Sequence, residues 1–300
     1  MTHLVIGPST PDLGRRLAAE TGYSFTEAEL QIFPDGESCC RCALPDGIGS
    51  AVIVQGTQPP QDRHLQQLMQ LVDHAAARGA SDITCVVPYL AYSRQDRRMK
   101  PDDPLSSQAV LRALAALGMT RLVTIDVHNP RIFGYCDSVC TSLSASEPIV
   151  EFLSAQGFDR PVLVSPDEGG RERIGRIAAR LGWPVRICSK NKDPDGRTWY
   201  EGIEDGLTDC DAVVIDDLCS SGSTLLPLAE QLYRSKVRRI LFGITHFFAD
   251  ADALTTKIGG DVRFFSTNSI PSKVSAIDLA PLIADHLRST ETGQNAEAAE

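Results

Sequence analysis

The segment "AVVIDDLCSSGSTLLPLAEQL", residues 212–232, combines three features from which the fold of this chain follows. Its first four residues form the continuous apolar run that is typical of a parallel strand covered on both faces. Leu225, Leu228 and Leu232 then recur at helical spacing, and Pro227 is compatible with a helix because it falls in the first turn. The segment therefore predicts a strand, a loop and a helix.

The loop at residues 220–224 has the composition of a phosphate-binding site. Its small residues let successive backbone N–H groups converge on one anion, beside hydroxyl groups and the positive end of a helix dipole. It lacks the lysine and spacing of a nucleoside-triphosphate P-loop and the glycine pattern of a dinucleotide turn. Asp216 and Asp217 would repel a bare phosphate, but they can accept hydrogen bonds from sugar hydroxyls. The combination predicts a sugar-phosphate site, although an ordinary turn with a serine cap would explain any single residue.

Length and composition restrict the classes of function. The 300 residues, 42% of them hydrophobic, suffice for two domains of about 150 residues each. A net charge of −10 provides no basic field for nucleic acid, so no nucleic-acid partner is expected. The N-terminal stretch has no signal-peptide pattern, and no segment approaches the roughly 18 apolar residues of a membrane span. We therefore expect a soluble, cytoplasmic protein without a membrane partner.

Strand-like apolar runs alternate with helical stretches along the chain, which predicts an α/β fold with mostly parallel sheets. The segment that begins at residue 51 matches the one that begins at residue 212 in its order of strand, loop, helix and strand, which hints at an internal duplication. The expected domains are residues 1–145 and 146–288, followed by a disordered tail at 289–300 that is polar and acidic.

Charged residues follow three other predicted strands, where open α/β sheets build their sites. "SRQDRR" places guanidinium groups around Asp96, an arrangement that can hold a polyphosphate or simply form a solvated loop. Asp126 and His128 end one strand and Asp167 ends another, so an imidazole and a carboxylate could share a divalent ion. With so few protein ligands, Mg²⁺ fits better than Zn²⁺. A lone histidine at a strand end is otherwise structural.

The segment "ICSKNKDPDGRTW" carries two lysines, Lys190 and Lys192, among Asp, Pro and Gly residues. This composition predicts a mobile loop that closes over a reaction and neutralises transferring phosphoryl oxygens. Ordinary surface lysines are the alternative.

The nine cysteines are odd in number, and Cys85, Cys188 and Cys210 lie in apolar runs. Cys39, Cys40 and Cys42 form a cluster, but no second pair follows at zinc-site spacing. Reduced thiols packed as small hydrophobic groups are therefore expected.

Seven segments, in order along the chain, resemble the ribose-phosphate pyrophosphokinase family, which makes phosphoribosyl pyrophosphate (PRPP). They are "FPDGE", "YSRQDRR", "DVHNPRIFGYCD", "SPDEGGRER", "SKNK", "VVIDDLCSSGSTL" and "TNSIP". The resemblance implies two tandem phosphoribosyltransferase-like α/β domains in a homo-oligomer, a dimer or a hexamer. It further implies Mg²⁺-dependent transfer of the β,γ-diphosphoryl group of ATP to the 1-hydroxyl of ribose 5-phosphate, with release of AMP.

The resemblance also implies roles for individual residues. Binding of ATP falls to Phe33, Asp35, Glu37, Arg94, Gln95, Asp96 and Arg97. The metal ligands are His128 and Asp167. Binding of ribose 5-phosphate falls to Asp216, Asp217, Ser220, Ser221, Gly222, Ser223 and Thr224. The catalytic cations are Lys190, Lys192 and Arg97. Such a reaction depends on positioning and charge neutralisation, and it needs no covalent enzyme intermediate.

The chain departs from the family pattern at several positions. Ser223 stands where the family has a glycine, so this position would be strained if it required a positive φ. Lys192 replaces an arginine and lacks its bidentate fork. An Arg-Gly pair is missing before the second strand, and "MKPDDPLSSQAV" is unusually acidic. Phosphate activation and ADP inhibition are therefore left open.

Three other functions remain open from the sequence. A phosphoribosyltransferase would consume PRPP with the same loop, but it would not need the ATP segments of the first half. A silent regulatory homologue would lack the lysines or the metal pair, which are present here. A kinase for another sugar phosphate is compatible with the serine-rich loop.

Overall fold

The computed structural model describes residues 2–192, 198–203 and 206–297. The chain divides into two compact units. The first unit comprises Met1–Leu143 with Leu279–Glu300, and the second comprises Ser144–Asp278. In the described part of the chain, every helix is too short or too polar to cross a membrane.

The first unit is built on a six-stranded parallel sheet with the order β2-β1-β5-β6-β7-β8. The strands of the unit are β1 (Thr2–Ile6), β2 (Ser24–Glu27), β3 (Glu29–Ile32), β4 (Ser38–Arg41), β5 (Ser50–Val54), β6 (Asp82–Val86), β7 (Arg121–Ile125) and β8 (Val139–Leu143). The helices are α1 (Pro11–Thr21), α2 (Gln61–Ala77), α3 (Ser106–Ala116) and a 3-10 helix at Pro130–Tyr135. Strands β3 and β4 form a separate antiparallel hairpin.

The second unit has a six-stranded parallel sheet with the order β10-β9-β13-β14-β15-β16. Its helices are α4 (Ser146–Ser154), α5 (Arg171–Leu181), α6 (Leu225–Arg234), α7 (Ala251–Ile258) and a 3-10 helix at Glu168–Gly170. Its strands are β9 (Pro161–Ser165), β10 (Val185–Ile187), β11 (Ser189–Lys192), β12 (Thr198–Glu201), β13 (Asp211–Cys219), β14 (Arg239–Phe247), β15 (Val262–Thr267) and β16 (Ser275–Ile277). The α/β prediction is confirmed.

The two units repeat one plan. In the first sheet β1 lies between β2 and β5, and β5 is the strand that follows a hairpin. In the second sheet β9 lies in the same way between β10 and β13. The hairpin is β3–β4 in the first unit and β11–β12 in the second, and both are antiparallel. The duplication suggested by the sequence is therefore present in the order of the elements.

The quoted segment folds as its pattern predicts. Strand β13 carries the apolar run Ala212–Ile215, which is buried. Leu225, Leu228 and Leu232 of α6 are buried in the core of the second unit, which also contains Val214 and Phe242. Burial of both faces of β13 explains why the run Ala212–Ile215 contains no polar residue.

The C-terminal helix α8 (Ala280–Glu297) belongs to the first unit, although it follows the second unit in sequence. It packs against α1, and Thr2 Oγ1 donates to Glu291 Oε1 at 2.8 Å. Arg288 Nη1 donates to the carbonyl of Glu20 at 2.9 Å. The structural division thus differs from the boundaries drawn at 146–288, and a helix extends to Glu297 where the sequence predicted a tail from residue 289.

Candidate active site

The loop between β13 and α6 wraps around a glycine in the left-handed region. Gly222 has φ +77°, and its carbonyl accepts hydrogen bonds from the backbone N–H groups of Leu225 and Leu226 at 2.9 and 3.1 Å. The N–H of Ser223 lies 3.4 Å from Ser221 Oγ. Gly222 is buried, whereas Ser220, Ser221 and Ser223 are exposed at the start of α6. The loop therefore presents hydroxyl and N–H groups to solvent at a helix N-terminus.

Ser223 is not strained in this loop. The left-handed conformation falls on Gly222, and Ser223 is not among the residues with positive φ. The replacement of a glycine by Ser223 consequently leaves the turn intact, since the neighbouring glycine supplies the conformation that only a residue without Cβ adopts freely.

We expect Gly222→Ala to destabilise the protein by about 1–3 kcal/mol, because it combines left-handed strain with a clash. A Cβ at this position would lie 2.3 Å from the Cδ2 atom of Leu254, which is buried. Gly182→Ala is the matched control, since Gly182 has φ +69° and open space around its Cβ position. Urea unfolding should show the larger loss for Gly222→Ala, and equal losses would contradict the steric argument.

Two adjacent carboxylates end the buried half of β13. The backbone N–H of Asp217 donates to Asp216 Oδ1 at 2.9 Å, and Asp217 Oδ2 lies 3.9 Å from Arg173 Nη2 of α5. Although Asp216 keeps some solvent exposure, its carboxyl group is densely surrounded by protein. This burial, reinforced by the charge of Asp217, raises the pKa of Asp216 well above its usual value. A negative charge on Asp216 is thus energetically unfavourable.

The raised pKa of Asp216 predicts a pH-dependent stability. Between the unfolded pKa near 4 and the higher folded pKa, the folded protein holds a proton that the unfolded chain has lost, so stability falls as pH rises. Asp216→Asn removes this penalty and should raise Tm at pH 7 above that of the wild type. Thermal unfolding of both proteins without ligands, from pH 4 to 8, measures this difference in Tm. A gain that did not shrink toward pH 4 would contradict the assignment.

The two lysines lie on strand β11 and not on a loop, which corrects that part of the sequence prediction. Lys190 pairs with Tyr200 and Lys192 with Thr198 in the antiparallel β11–β12 ladder. The Nζ of Lys190 donates to Thr224 Oγ1 at 3.1 Å. The structure therefore brings one predicted catalytic lysine onto the last residue of the phosphate loop. Residues 193–197, which the same prediction included, lie outside the described residues.

A cavity of about 680 Å³ opens beside this contact. It is lined by Lys190, Lys192, Thr198, Trp199, Ser223, Pro227, Glu230, Gln231 and Arg234. Three of these side chains are cationic, and the one acid, Glu230, pairs with Arg234, so the space next to the loop favours anionic ligands.

In the first unit, the "FPDGE" segment forms the tip of the β3–β4 hairpin. The N–H of Phe33 donates to the carbonyl of Glu37 at 2.9 Å, and the N–H of Glu37 donates to Asp35 Oδ1 at 3.1 Å. The side chains of all three residues are exposed. The tip is thus a closed turn that offers an aromatic ring and two carboxylates to a ligand.

The Arg-Gln-Asp-Arg segment follows β6 and meets the loop after β7. Asn129 Nδ2 donates to Asp96 Oδ2 at 2.5 Å, and Ser107 Oγ donates to the carbonyl of Gln95 at 2.8 Å. The hydrogen bond from Asn129, helped by the charges of Arg97 and His128, lowers the pKa of Asp96. Asp96 therefore stays ionised within a cationic group. Arg94 and Arg97 remain exposed and available to phosphates.

The two predicted metal ligands lie in different units. His128 is exposed after β7 in the first unit. Asp167 is exposed after β9 in the second unit, where its Oδ1 accepts a hydrogen bond from the N–H of Gly170 at 3.3 Å. An exposed carboxylate at a strand end is an oxygen donor of the kind that Mg²⁺ takes, so Asp167 fits this ion.

The cysteines are free thiols, and Cys40, Cys85, Cys188, Cys210 and Cys219 are buried. Burial raises the pKa of Cys40 to about 11. Within residues 2–192, 198–203 and 206–297, no three His, Cys, Asp or Glu side chains are grouped to hold a metal. The five buried thiols therefore pack as small hydrophobic side chains.

Sequence reasoning assigned no role to four residues at the site, namely Arg173, which lies in the quoted segment "SPDEGGRER", and Asn129, Tyr200 and Gln231. Arg173 approaches Asp217, and Asn129 fixes Asp96. Tyr200 and Gln231 connect β12 with α6. Asn129 follows His128 within a quoted motif and could have been found there, but nothing in the sequence marks the long-range pair Tyr200 and Gln231.

Comparisons with known proteins agree with this geometry. The family model for the N-terminal domain of ribose phosphate pyrophosphokinase matches residues 2–118, and the phosphoribosyl transferase domain matches residues 141–281. A ribose-phosphate pyrophosphokinase of Methanopyrus kandleri is 32% identical over 91% of this chain and 94% of its own. One from Sulfurisphaera tokodaii is 30% identical over 94% of this chain and 98% of its own.

The fold is similar to a solved structure over nearly its whole length. A phosphoribosylpyrophosphate synthetase from Mycobacterium smegmatis superposes with a TM-score of 0.85, covering 97% of this chain and 99% of that one at 22% identity. Both halves of the chain thus match in sequence and in fold, in the order that the quoted motifs follow. The chain belongs to the ribose-phosphate pyrophosphokinase family.

Proposed function

We propose that this protein transfers the β,γ-diphosphoryl group of ATP to the 1-hydroxyl of ribose 5-phosphate, giving PRPP and AMP. The observation that carries the proposal is the hydrogen bond between Lys190 Nζ and Thr224 Oγ1. It joins a cation suited to phosphoryl oxygens with a loop suited to a sugar phosphate, inside one unit. Family membership supports the same reaction.

The sugar phosphate is held by the loop and the two acids before it. Its 5-phosphate binds the N–H and hydroxyl groups from Ser220 to Thr224 at the start of α6, where the helix dipole adds to the attraction. Asp216 and Asp217 accept hydrogen bonds from ribose hydroxyls. Hydrogen bonds from the sugar also offset the burial of the Asp216 carboxyl group.

ATP is held by groups of the first unit, most of which are exposed. Phe33 offers a ring to the base, and Arg94 and Arg97 offer bidentate forks to the phosphates. The remaining members of this set are Asp35, Glu37, Gln95 and Asp96. The in-line approach of the hydroxyl to the β-phosphorus needs positioning and charge neutralisation, which Arg97, Lys190 and Lys192 supply.

Mg²⁺ belongs to this proposal as the metal bound to ATP. His128 in the first unit and Asp167 in the second are the residues that we propose for it, each within its own unit, and when bound the ion would neutralise charge on the phosphates. Without it, Lys190 and Arg97 still bind and orient phosphoryl oxygens.

We also infer a homo-oligomer, a dimer or a hexamer, in the cytoplasm. Phe25, Leu30 and Ile32 expose 49%, 44% and 44% of their surface on β2 and β3, which a partner copy would cover. Free thiols and the use of ATP favour a reducing compartment. Light scattering of the purified protein measures the oligomer number.

The test is ³¹P NMR of the purified protein with Mg-ATP and ribose 5-phosphate. We expect AMP together with a sugar 1-diphosphate. ADP with a sugar bisphosphate would show transfer of a single phosphoryl group and reject the proposal. Binding of both substrates without turnover would favour a silent regulatory homologue.

A further inference from the structure

Tyr200 lies where the lysine hairpin meets the phosphate loop. Its side chain is fully buried in β12, and its hydroxyl donates to the carbonyl of Thr224 at 2.9 Å. In the β11–β12 ladder, Tyr200 is also the direct partner of Lys190. Tyr200 therefore links strand β11, which carries Lys190, with Thr224, whose hydroxyl Lys190 contacts.

Gln231 of α6 holds the other edge of β12. The N–H of Tyr200 donates to Gln231 Oε1 at 3.0 Å, and Gln231 Nε2 donates to the carbonyl of Tyr200. The side-chain amide thus pairs with both backbone groups, as a neighbouring strand would. A two-stranded hairpin has little stability of its own, so this attachment to α6 restricts where the hairpin can lie.

The contacts converge on the start of α6. Thr224 precedes the helix, its hydroxyl accepts from Lys190, and its carbonyl accepts from Tyr200. Gln231 is on the same helix, two turns further along. The hairpin and the phosphate loop are therefore both attached to helix α6.

We propose that Tyr200 and Gln231 are positioning residues that hold the β11–β12 hairpin, and with it Lys190, against the phosphate loop. The inference rests on the proposed function, because it assigns a purpose to the placement of Lys190. A displacement of about 1 Å at a reacting group can lower turnover up to a hundredfold, so a hydroxyl remote from the substrates can matter. A residue that merely fills the core would affect stability alone.

Tyr200→Phe removes the hydroxyl and keeps the buried ring. We expect it to lower kcat about tenfold while the Kd for ribose 5-phosphate changes less than about twofold. Tyr233→Phe is the matched control, since Tyr233 also donates to a backbone carbonyl, that of Gly259 at 3.3 Å, from the same helix α6. It should leave kcat unchanged.

A double-mutant cycle separates positioning from a general defect. In the Lys190→Ala background, Tyr200→Phe should cause no further loss, because the group that it positions is gone. An equal loss in both backgrounds would overturn the inference. Gln231→Leu provides a second variant that abolishes both backbone contacts of Tyr200, and it should behave in the same way.

Tryptophan quenching needs no substrate, so it tests the positioning role independently of the proposed function. The chain has two tryptophans, and Trp199 on β12 is 43% exposed. In a Trp183→Phe background, Tyr200→Phe and Gln231→Leu should raise acrylamide quenching of Trp199 about twofold, and Tyr233→Phe should not. If the wild type makes no PRPP, the proposed function is rejected, but the quenching experiment still tests whether Tyr200 and Gln231 hold the hairpin in place. An active wild type with unchanged kcat and quenching in Tyr200→Phe rejects the positioning role.

Discussion

Lys190→Ala should lower kcat by roughly a hundredfold or more while the Kd values for ATP and ribose 5-phosphate change less than about threefold. The lysine is exposed on β11 and its Nζ contacts Thr224 Oγ1 at 3.1 Å, so it is not part of the core. Its charge matters most when negative charge spreads over the transferred group. Steady-state kinetics and calorimetric titration of each substrate measure the two effects separately.

Two further variants make the result specific. Lys257→Ala removes another exposed lysine of the second unit, on α7, and should leave kcat unchanged. Lys190→Arg keeps the charge and should recover part of the activity. A rise in KM with kcat unchanged in Lys190→Ala would assign the lysine to substrate binding and reject its role in the transition state.

The elements around the phosphate loop could be predicted because their patterns are local. The apolar run of β13, the glycine at position 222 and the leucine spacing of α6 each fix one element through periodicity or backbone freedom. The parallel sheets and the duplicated plan followed from the same alternation. The order of motifs then identified the family, which periodicity alone does not specify.

The lysine strand could not be predicted because its stabilising contacts are remote in sequence. "SKNK" is polar and precedes Asp, Pro and Gly, a composition that is typical of a loop. It is a strand because β12 pairs with it and Gln231, 31 residues after Tyr200, holds β12 on α6. Tertiary contacts override local propensity here.

The C-terminal helix illustrates the same limit. Residues 291–297, "ETGQNAE", lack apolar periodicity, yet Glu291, Gln294, Ala296 and Glu297 have high helix propensity. The helix begins at Ala280 and is attached to the first unit through Arg288 and Glu291. Neither partner, the Glu20 carbonyl or Thr2, can be recognised from the segment itself.

Asp217→Asn should weaken binding of ribose 5-phosphate about 10–100-fold and leave the Kd for ATP within about twofold, since hydrogen bonds to a charged acceptor are worth about 1.5–3 kcal/mol. Asp217 ends the buried half of β13 beside the loop, and its carboxylate is only 3.9 Å from Arg173. The sugar hydroxyls need this acceptor, whereas the proposed ATP groups belong to the first unit.

Loss of charge alone must be separated from loss of the acceptor. Asp252→Asn is the matched control, because Asp252 is an exposed carboxylate of the second unit that pairs with Lys273 at 2.6 Å. This variant should bind ribose 5-phosphate normally, although it too loses an ion pair. If Asp217→Asn weakened ATP and ribose 5-phosphate equally, the carboxylate would act on the site as a whole and the sugar assignment would be wrong. Selective loss of sugar binding, by contrast, would support direct contact between the Asp217 carboxylate and the sugar.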